Sequence, residues 1–384
     1  MAWSSAHGGF WVPSRYDDVF EVARDDARFS SARAEGAPEN SITIPSQPGN
    51  RNVPIEMDPP EALAYRAFLN PLLSPAAVER NLVPRVRMLA EGFVDRIADR
   101  GSCDLIADIV GPVPAVLTLE WLGLPVTNWH EIAHAIHGVP GYPKGSPEHD
   151  KCLAILGELH AEVLELISRR RKDSRDDITS YLISKSVNGE PLTDQLVFEM
   201  VMLLIFGGID TTTSLTGSAL AWLDEHPAEK ARLLADPKYL QQATEEFLRY
   251  FSPVTALART VTQPTRIGGQ GLQPGDRILL PWLAANHDPE AFEEPEVVRL
   301  DRSPNRHMAF GIGVHRCSGS NLARRGFQIM LTEVLQRIPD YRVNREDALR
   351  LPSQGLNGGW LTLPVTFTAQ PRRGSPALDA LLAP

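Results

Sequence analysis

The chain has 384 residues, 43% hydrophobic and 22% charged, a globular composition that excludes disorder of the whole chain. A formal net charge of −10, with no long basic run, argues against non-specific nucleic-acid binding. The three cysteines, Cys103, Cys152 and Cys317, lie far apart and form no CxxC pair. That excludes a disulfide framework and a zinc-site spacing and fits a reducing compartment.

Met1 to Gly9 is mostly polar and small, unlike a signal peptide. Phe10-Trp11-Val12 reads as a strand and Arg15 to Arg28 as a short amphipathic helix. Residues 35 to 56, rich in Pro, Gly, Asn and Ser, predict a long loop. Asp58-Pro59-Pro60 then opens a helix. From Ala76 to Arg100 apolar residues recur with helical period (Leu82, Val86, Leu89, Phe93, Ile97), and Gly101 closes the run. A second helical stretch covers about 104 to 124, and residues 126 to 172 read as helices around a break at Val139 to Pro147.

Thr193 is the expected N-cap of a helix persisting to Glu225, with Pro227 beyond its end. At about thirty residues it far exceeds an average helix. Its middle, Gly207-Gly208 followed by Asp210-Thr211-Thr212-Thr213, is weak in helix propensity. The apolar run Met200–Ile209 is too short to span a membrane. Gln241 to Phe251 is a helix, 254 to 281 are strands around turns at Gly268-Gly269 and Pro274-Gly275-Asp276, and a last long helix follows Cys317. The tail after Pro371 (372–384) is expected to be mobile. The prediction is a mainly α fold with a minor β portion.

The chemistry concentrates in Phe310-Gly311-Ile312-Gly313-Val314-His315-Arg316-Cys317-Ser318-Gly319. Glycines at 311, 313 and 319 let a loop bend sharply and let a flat ligand approach the backbone. Cys317 sits just ahead of a helix N-terminus, where backbone N–H groups stabilise a thiolate. A lone cysteine in a Gly-rich turn is otherwise an inert thiol. The whole pattern resembles the haem-binding loop of the cytochrome P450 family at each defining position: Phe310, Gly311, Gly313, His315, Cys317 and Gly319.

That resemblance implies a single haem domain over 1–384, with haem b (iron protoporphyrin IX) buried between the long central helix and the Cys loop with the last helix. Cys317 would be the axial metal ligand. Glu246-Phe247-Leu248-Arg249, in isolation an ordinary helix ion pair, resembles the family's Glu-x-x-Arg signature, and Arg302 falls at the third member of that structural network. Gly207-Gly208-Ile209-Asp210-Thr211 resembles the oxygen-activating segment, the alternative being a polar flaw in a core helix. Asp210 and Thr211 would be catalytic, Asp210 passing protons inward from solvent toward Thr211. On a helix, 203, 206, 207, 210 and 211 share one face.

Met57-Asp58-Pro59-Pro60-Glu61 with Arg66 resembles the start of the family's third helix, placing Arg66 at a propionate-binding position; Arg259 and His315 match other propionate partners, with a surface charge as the alternative for each. Ala62 stands where many relatives carry His or Trp. Ala285-Asn286-His287-Asp288-Pro289 resembles the family's Ala-Asn-Arg-Asp-Pro turn, with His287 replacing Arg. Only nine residues precede Phe10, where relatives carry a first helix; the resemblance implies a truncated start and an open substrate entrance.

The implied function is that of a cytoplasmic, monomeric monooxygenase, without nucleic-acid or membrane partners. It would use O2 as co-substrate, and NAD(P)H electrons would reach it through a reductase and a separate ferredoxin or flavodoxin. Arg66, Arg316, Arg324 and Arg325 could steer an acidic partner, or be solvated surface charge. Leu203, Phe206, Gly207, Val254, Thr255, Leu257 and Leu356 would line the pocket for a small hydrophobic substrate: terpenoid, steroid, aromatic or polyketide. The rivals are a hydrogen-peroxide-dependent peroxygenase, which would not need the Asp210-Thr211 relay, and a haem-thiolate sensor or carrier without turnover.

Overall fold

A computed structural model describes residues 1–351 and 357–383; Leu356 lies outside them. The backbone is mainly helical with a minor sheet portion, and its contacts divide into two compact units. The first comprises residues 1–70, 245–320 and 357–358, the second residues 71–244, 321–351 and 359–383.

The first unit is built on a five-stranded sheet. Phe10–Val12 is a strand, as its pattern predicts, and Ala2–Ser4 folds back antiparallel to it. The opening residues therefore form a hairpin that their small, polar character does not announce. Leu257–Val261 and Arg277–Leu280 pair antiparallel at the centre, with Phe29–Ser30 at one edge. Val19, Val22, Phe29, Ile278, Leu280 and Trp282 are buried together, so the Tyr16–Arg24 helix lays its apolar face on this sheet. The Glu61–Leu69 helix begins after Pro60, at the predicted start.

The second unit holds the long helices. The Thr193 hydroxyl accepts from the Leu196 N–H at 3.2 Å and caps a continuous helix, Asp194–Asp224. Ser146 does the same for Pro147–Lys172, through His149 N–H at 3.2 Å. The predicted 76–100 helix is Val83–Ile97, preceded by a wider turn at Val78–Leu82. The Asp194–Asp224 helix is long and apolar enough to cross a bilayer by length and composition, which counting only uninterrupted apolar residues missed. Of its most apolar stretch, 56% is buried inside the protein, the pattern of a core helix.

The segment expected as a mobile tail instead contains a helix, Pro376–Leu381. Leu378 is buried against Gly92, where a Cβ would approach its side chain to 2.6 Å. Asp95 gathers the chain ahead of it, accepting from Arg373 N–H (2.7 Å), Gly374 N–H (2.9 Å) and Arg337 Nη2 (3.2 Å). A buried carboxylate with three donors supplies the anchoring that the tail's own composition does not reveal.

Candidate active site

The Cys loop closes on itself through main-chain bonds. Cys317 N–H donates to the Phe310 carbonyl at 2.8 Å, and Gly311 N–H donates to Met308 at 2.9 Å. Gly311 (φ +67°) and Gly313 (φ +73°) adopt left-handed conformations. Gly313 also passes close to the Tyr16–Arg24 helix, where a Cβ would meet the Ala23 carbonyl at 2.8 Å. Gly319, expected to bend the chain, has no positive φ; its missing side chain instead faces the Cys317 Sγ at 3.9 Å. Cys317 is exposed and stands just ahead of the Ser320–Arg337 helix.

Beside this loop, within the same unit, is a cluster of cations. Arg259 is fully buried, and that desolvation pushes its guanidinium pKa down to about 10 against the weaker support of Asp58. His315 is driven down to about 3, first by burial and then by the charges of Arg259 and Arg66. Its Nε2 is buried without a hydrogen-bond partner among the described residues. Arg66 donates from Nη2 to the Arg316 carbonyl at 2.7 Å, and burial lowers its pKa while the neighbouring Cys317 raises it. Two guanidiniums and a donor-capable imidazole converge with an orphaned polar atom among them. This arrangement fits an anionic ligand with carboxylates, and together with a thiol at the loop tip it fits an iron porphyrin. Among the described residues no group of three His, Cys, Asp or Glu side chains is placed to hold a metal by itself.

The network predicted from Glu246, Arg249 and Arg302 is assembled. Both oxygens of the buried Glu246 carboxylate accept from Arg249 (2.9 Å each), and Arg302 Nε donates to the same group at 2.9 Å. Arg299 N–H (2.8 Å) and Asn305 Nδ2 (3.1 Å) complete it. The two arginines use their remaining hydrogens on the carbonyls of Asn286, Glu293, Glu294, Pro295 and Val297. Asn286, fully buried, ties this knot to the Cys loop. Its Oδ1 accepts from Met308 N–H at 2.7 Å, and its Nδ2 donates to Ser252 at 2.8 Å. The Ala-Asn-His-Asp-Pro turn carried this signal in the sequence.

In the second unit the long helix runs unbroken through its low-propensity segment. The Thr211 hydroxyl donates to the Gly207 carbonyl at 3.1 Å, the back-bond that lets a threonine sit within a helix. Gly207 is exposed, and a Cβ there would meet nothing within 4 Å. Gly208 faces the other way, and a Cβ there would meet Thr118 Oγ1 at 2.8 Å. In the haem-free protein the Gly207→Ala variant should therefore melt above the native sequence, by up to about 1 kcal/mol of helix propensity. Gly208→Ala should melt below it, because overpacking costs about 1–3 kcal/mol. Equal melting shifts in thermal unfolding would refute the distinction.

Leu203, Phe206 and Thr211 are half-buried and share the face of Gly207. Asp210 departs from the expected picture. It is only 2% exposed and is hydrogen-bonded to His137 Nδ1 from the Trp129–Gly138 helix. The sequence reading missed His137, because its partner is remote in the chain and a histidine on a helix carries no local sign of pairing.

Val254 and Leu257 pack half-buried on the core of the first unit, and Val254 bridges to Asn357. The Thr255 carbonyl accepts from Leu283 N–H at 3.1 Å. Of the four arginines proposed to steer a partner, Arg66 turns toward the Cys loop and Arg325 is paired with Glu79 at 3.0 Å.

The sequence profile described as Cytochrome P450 matches residues 144–343. A steroid C26-monooxygenase of Mycolicibacterium smegmatis is 31% identical over 364 residues, covering 94% of this chain and 88% of that protein. The linalool 8-monooxygenase of Pseudomonas putida is 30% identical over 359 residues, 91% of this chain and 88% of that protein. Among solved structures, CYP109E1 from Bacillus megaterium in complex with testosterone superposes with a TM-score of 0.84 at 27% identity, over 96% of this chain and 94% of that one. The chain belongs to the cytochrome P450 family. It is an oxidoreductase of the oxygen-incorporating, monooxygenase class.

Proposed function

We propose that the protein is a haem-thiolate monooxygenase that inserts one oxygen atom from O2 into a C–H bond of a small terpenoid- or steroid-like substrate. The observation that carries this reading is a loop thiol, Cys317, in one unit with the buried Arg259, the half-buried Arg66 and an orphaned His315 nitrogen. When bound, haem b would supply the oxygen-activating chemistry. Cys317 would supply the thiolate that holds its iron, while Arg66, Arg259 and His315 would hold its propionates. Phe310, Gly311 and Gly319 shape the loop, and Glu246, Arg249 and Arg302 hold the coil leading to it. Asp210 and Thr211 hold and pass the protons that the reaction consumes. Leu203, Phe206 and Gly207 offer contact to substrate, as do Val254, Thr255 and Leu257.

On this reading the whole chain acts as one haem domain, a cytoplasmic monomer fed with NAD(P)H electrons through a reductase and a ferredoxin or flavodoxin. The activities of the steroid and linalool relatives support the substrate class. The test begins with a spin-shift screen of steroids and terpenoids against the haem-loaded protein. Turnover of a responding compound under 18O2 with ferredoxin and reductase follows. One labelled oxygen in the product is expected. Oxygen drawn from water, or product formed only with added hydrogen peroxide, would overturn the reading, and no response from any compound would overturn the substrate class.

A further inference from the structure

The contact between His137 and Asp210 fixes a proton count. Nε2 of His137 lies 2.6 Å from the Trp360 carbonyl, which can only accept, so Nε2 carries a hydrogen. Nδ1 faces Asp210 Oδ1 at hydrogen-bond distance, and two bare lone pairs there would repel. One proton therefore sits between them, on nitrogen as an imidazolium–carboxylate pair or on oxygen as a neutral pair. Both forms have zero net charge, which suits a pair with side-chain exposures of 9% and 3%.

We propose that His137 is a positioning residue that stores one proton and reloads Asp210 with it. In the step the Nδ1–H bond breaks, an Oδ1–H bond forms, and no electrons move. Once Asp210 gives its proton away, a carboxylate is left facing a bare Nδ1. The contact turns from attractive to repulsive, so the emptied pair separates and recovers a proton from water. Asp210 then needs no solvent exposure of its own. The inference rests on the reading of Asp210 as a proton donor in a monooxygenase.

The charges around His137 favour the loaded state. Burial, the largest single effect, lowers its pKa, but the charge and hydrogen bond of Asp210, the Trp360 carbonyl and Asp104 together outweigh it, leaving a net rise. His134 precedes it on the same helix; Lys151, on the Pro147–Lys172 helix, acts on His134, and Cys152 lies against Gly138. The pair thus keeps its proton at and above the usual imidazole range and loses it as pH rises through the raised value.

The experiment uses holoenzyme labelled with 15N-histidine, in the diamagnetic ferrous carbon-monoxide complex. Expected for His137 is a hydrogen-bonded Nε2–H together with a strongly downfield proton shared between Nδ1 and Asp210 Oδ1 that disappears in Asp210→Asn. His137→Asn keeps a donor near Asp210 without a transferable proton, and His137→Phe removes the donor. Both are expected to keep the thiolate-type carbon-monoxide band, yet lower product per NAD(P)H at least about tenfold, with electrons lost to hydrogen peroxide. The alkaline limb of the native pH profile should vanish in both, while turnover driven by added peroxide, which brings its own protons, should match the native rate.

A native enzyme that forms no product from O2 would sink the monooxygenase reading itself. A productive native enzyme whose variants couple equally well would sink only the role of His137. If the variants fail to load haem, the native spectrum decides, and a His137 without the shared proton overturns the proposal.

Discussion

Glu246→Ala is expected to destabilise the protein by about 3–5 kcal/mol, a large share of the ~5–15 kcal/mol typical of a folded domain. The carboxylate is fully buried and answers two buried guanidiniums, the Arg299 N–H and Asn305. Without it, Arg249 and Arg302 remain in the interior as uncompensated charges. Glu246→Gln should fall between native and alanine, since the amide oxygen can still accept while the amide nitrogen points a donor at an arginine. Replacing all three charged residues by apolar ones of similar volume often rescues a buried ion pair. Here it should not, because the arginines also serve the carbonyls of Asn286, Glu293, Glu294, Pro295 and Val297. Denaturant unfolding of the single and triple variants checks both statements. An alanine variant within about 1 kcal/mol of native would mean that this knot does not hold the coil.

Local physics made much of the fold readable. The Thr193 cap and the Pro227 stop bracket the long helix in sequence as in structure, because a cap is a contact between residues three apart. The turns at Gly268-Gly269 and Pro274-Gly275 likewise announce the hairpin Thr265–Ile267/Gln270–Leu272 and the strand that follows it. The loop ending at Cys317 was readable because its glycines and cysteine are contiguous. What escaped depends on partners far away in the chain. His137 meets Asp210 across 73 positions, and Asp95 gathers the tail across about 280. A side chain that gains its meaning from such a partner looks like any other polar residue in its own window. Arg66 shows the same effect, since only folding reveals that it turns to the Arg316 carbonyl.

Cys317→Ala should abolish both turnover and the reduced carbon-monoxide difference band at about 450 nm that marks thiolate ligation, while leaving the fold intact. The three cysteines are not equivalent. Burial holds the Cys103 thiol well above its ordinary range, with Asp108 and Asp104 adding to the effect, and burial raises Cys152 as well. Both stay protonated at neutral pH and are poor metal ligands. Cys317 is exposed at the loop tip beside the half-buried Arg66, and Arg66 with His315 and the buried Arg259 makes an anion-binding set. The main-chain bond from Cys317 to the Phe310 carbonyl persists in the alanine variant, and substitution of an exposed side chain of this size is expected to cost within about 0.5 kcal/mol. Unfolding of the haem-free alanine variant should therefore match the native haem-free protein. Cys103→Ala and Cys152→Ala should do the reverse, lowering stability while retaining the band. A band at about 450 nm that survives in Cys317→Ala would show that the sulfur ligand lies elsewhere, and the assignment of this loop would have to be given up.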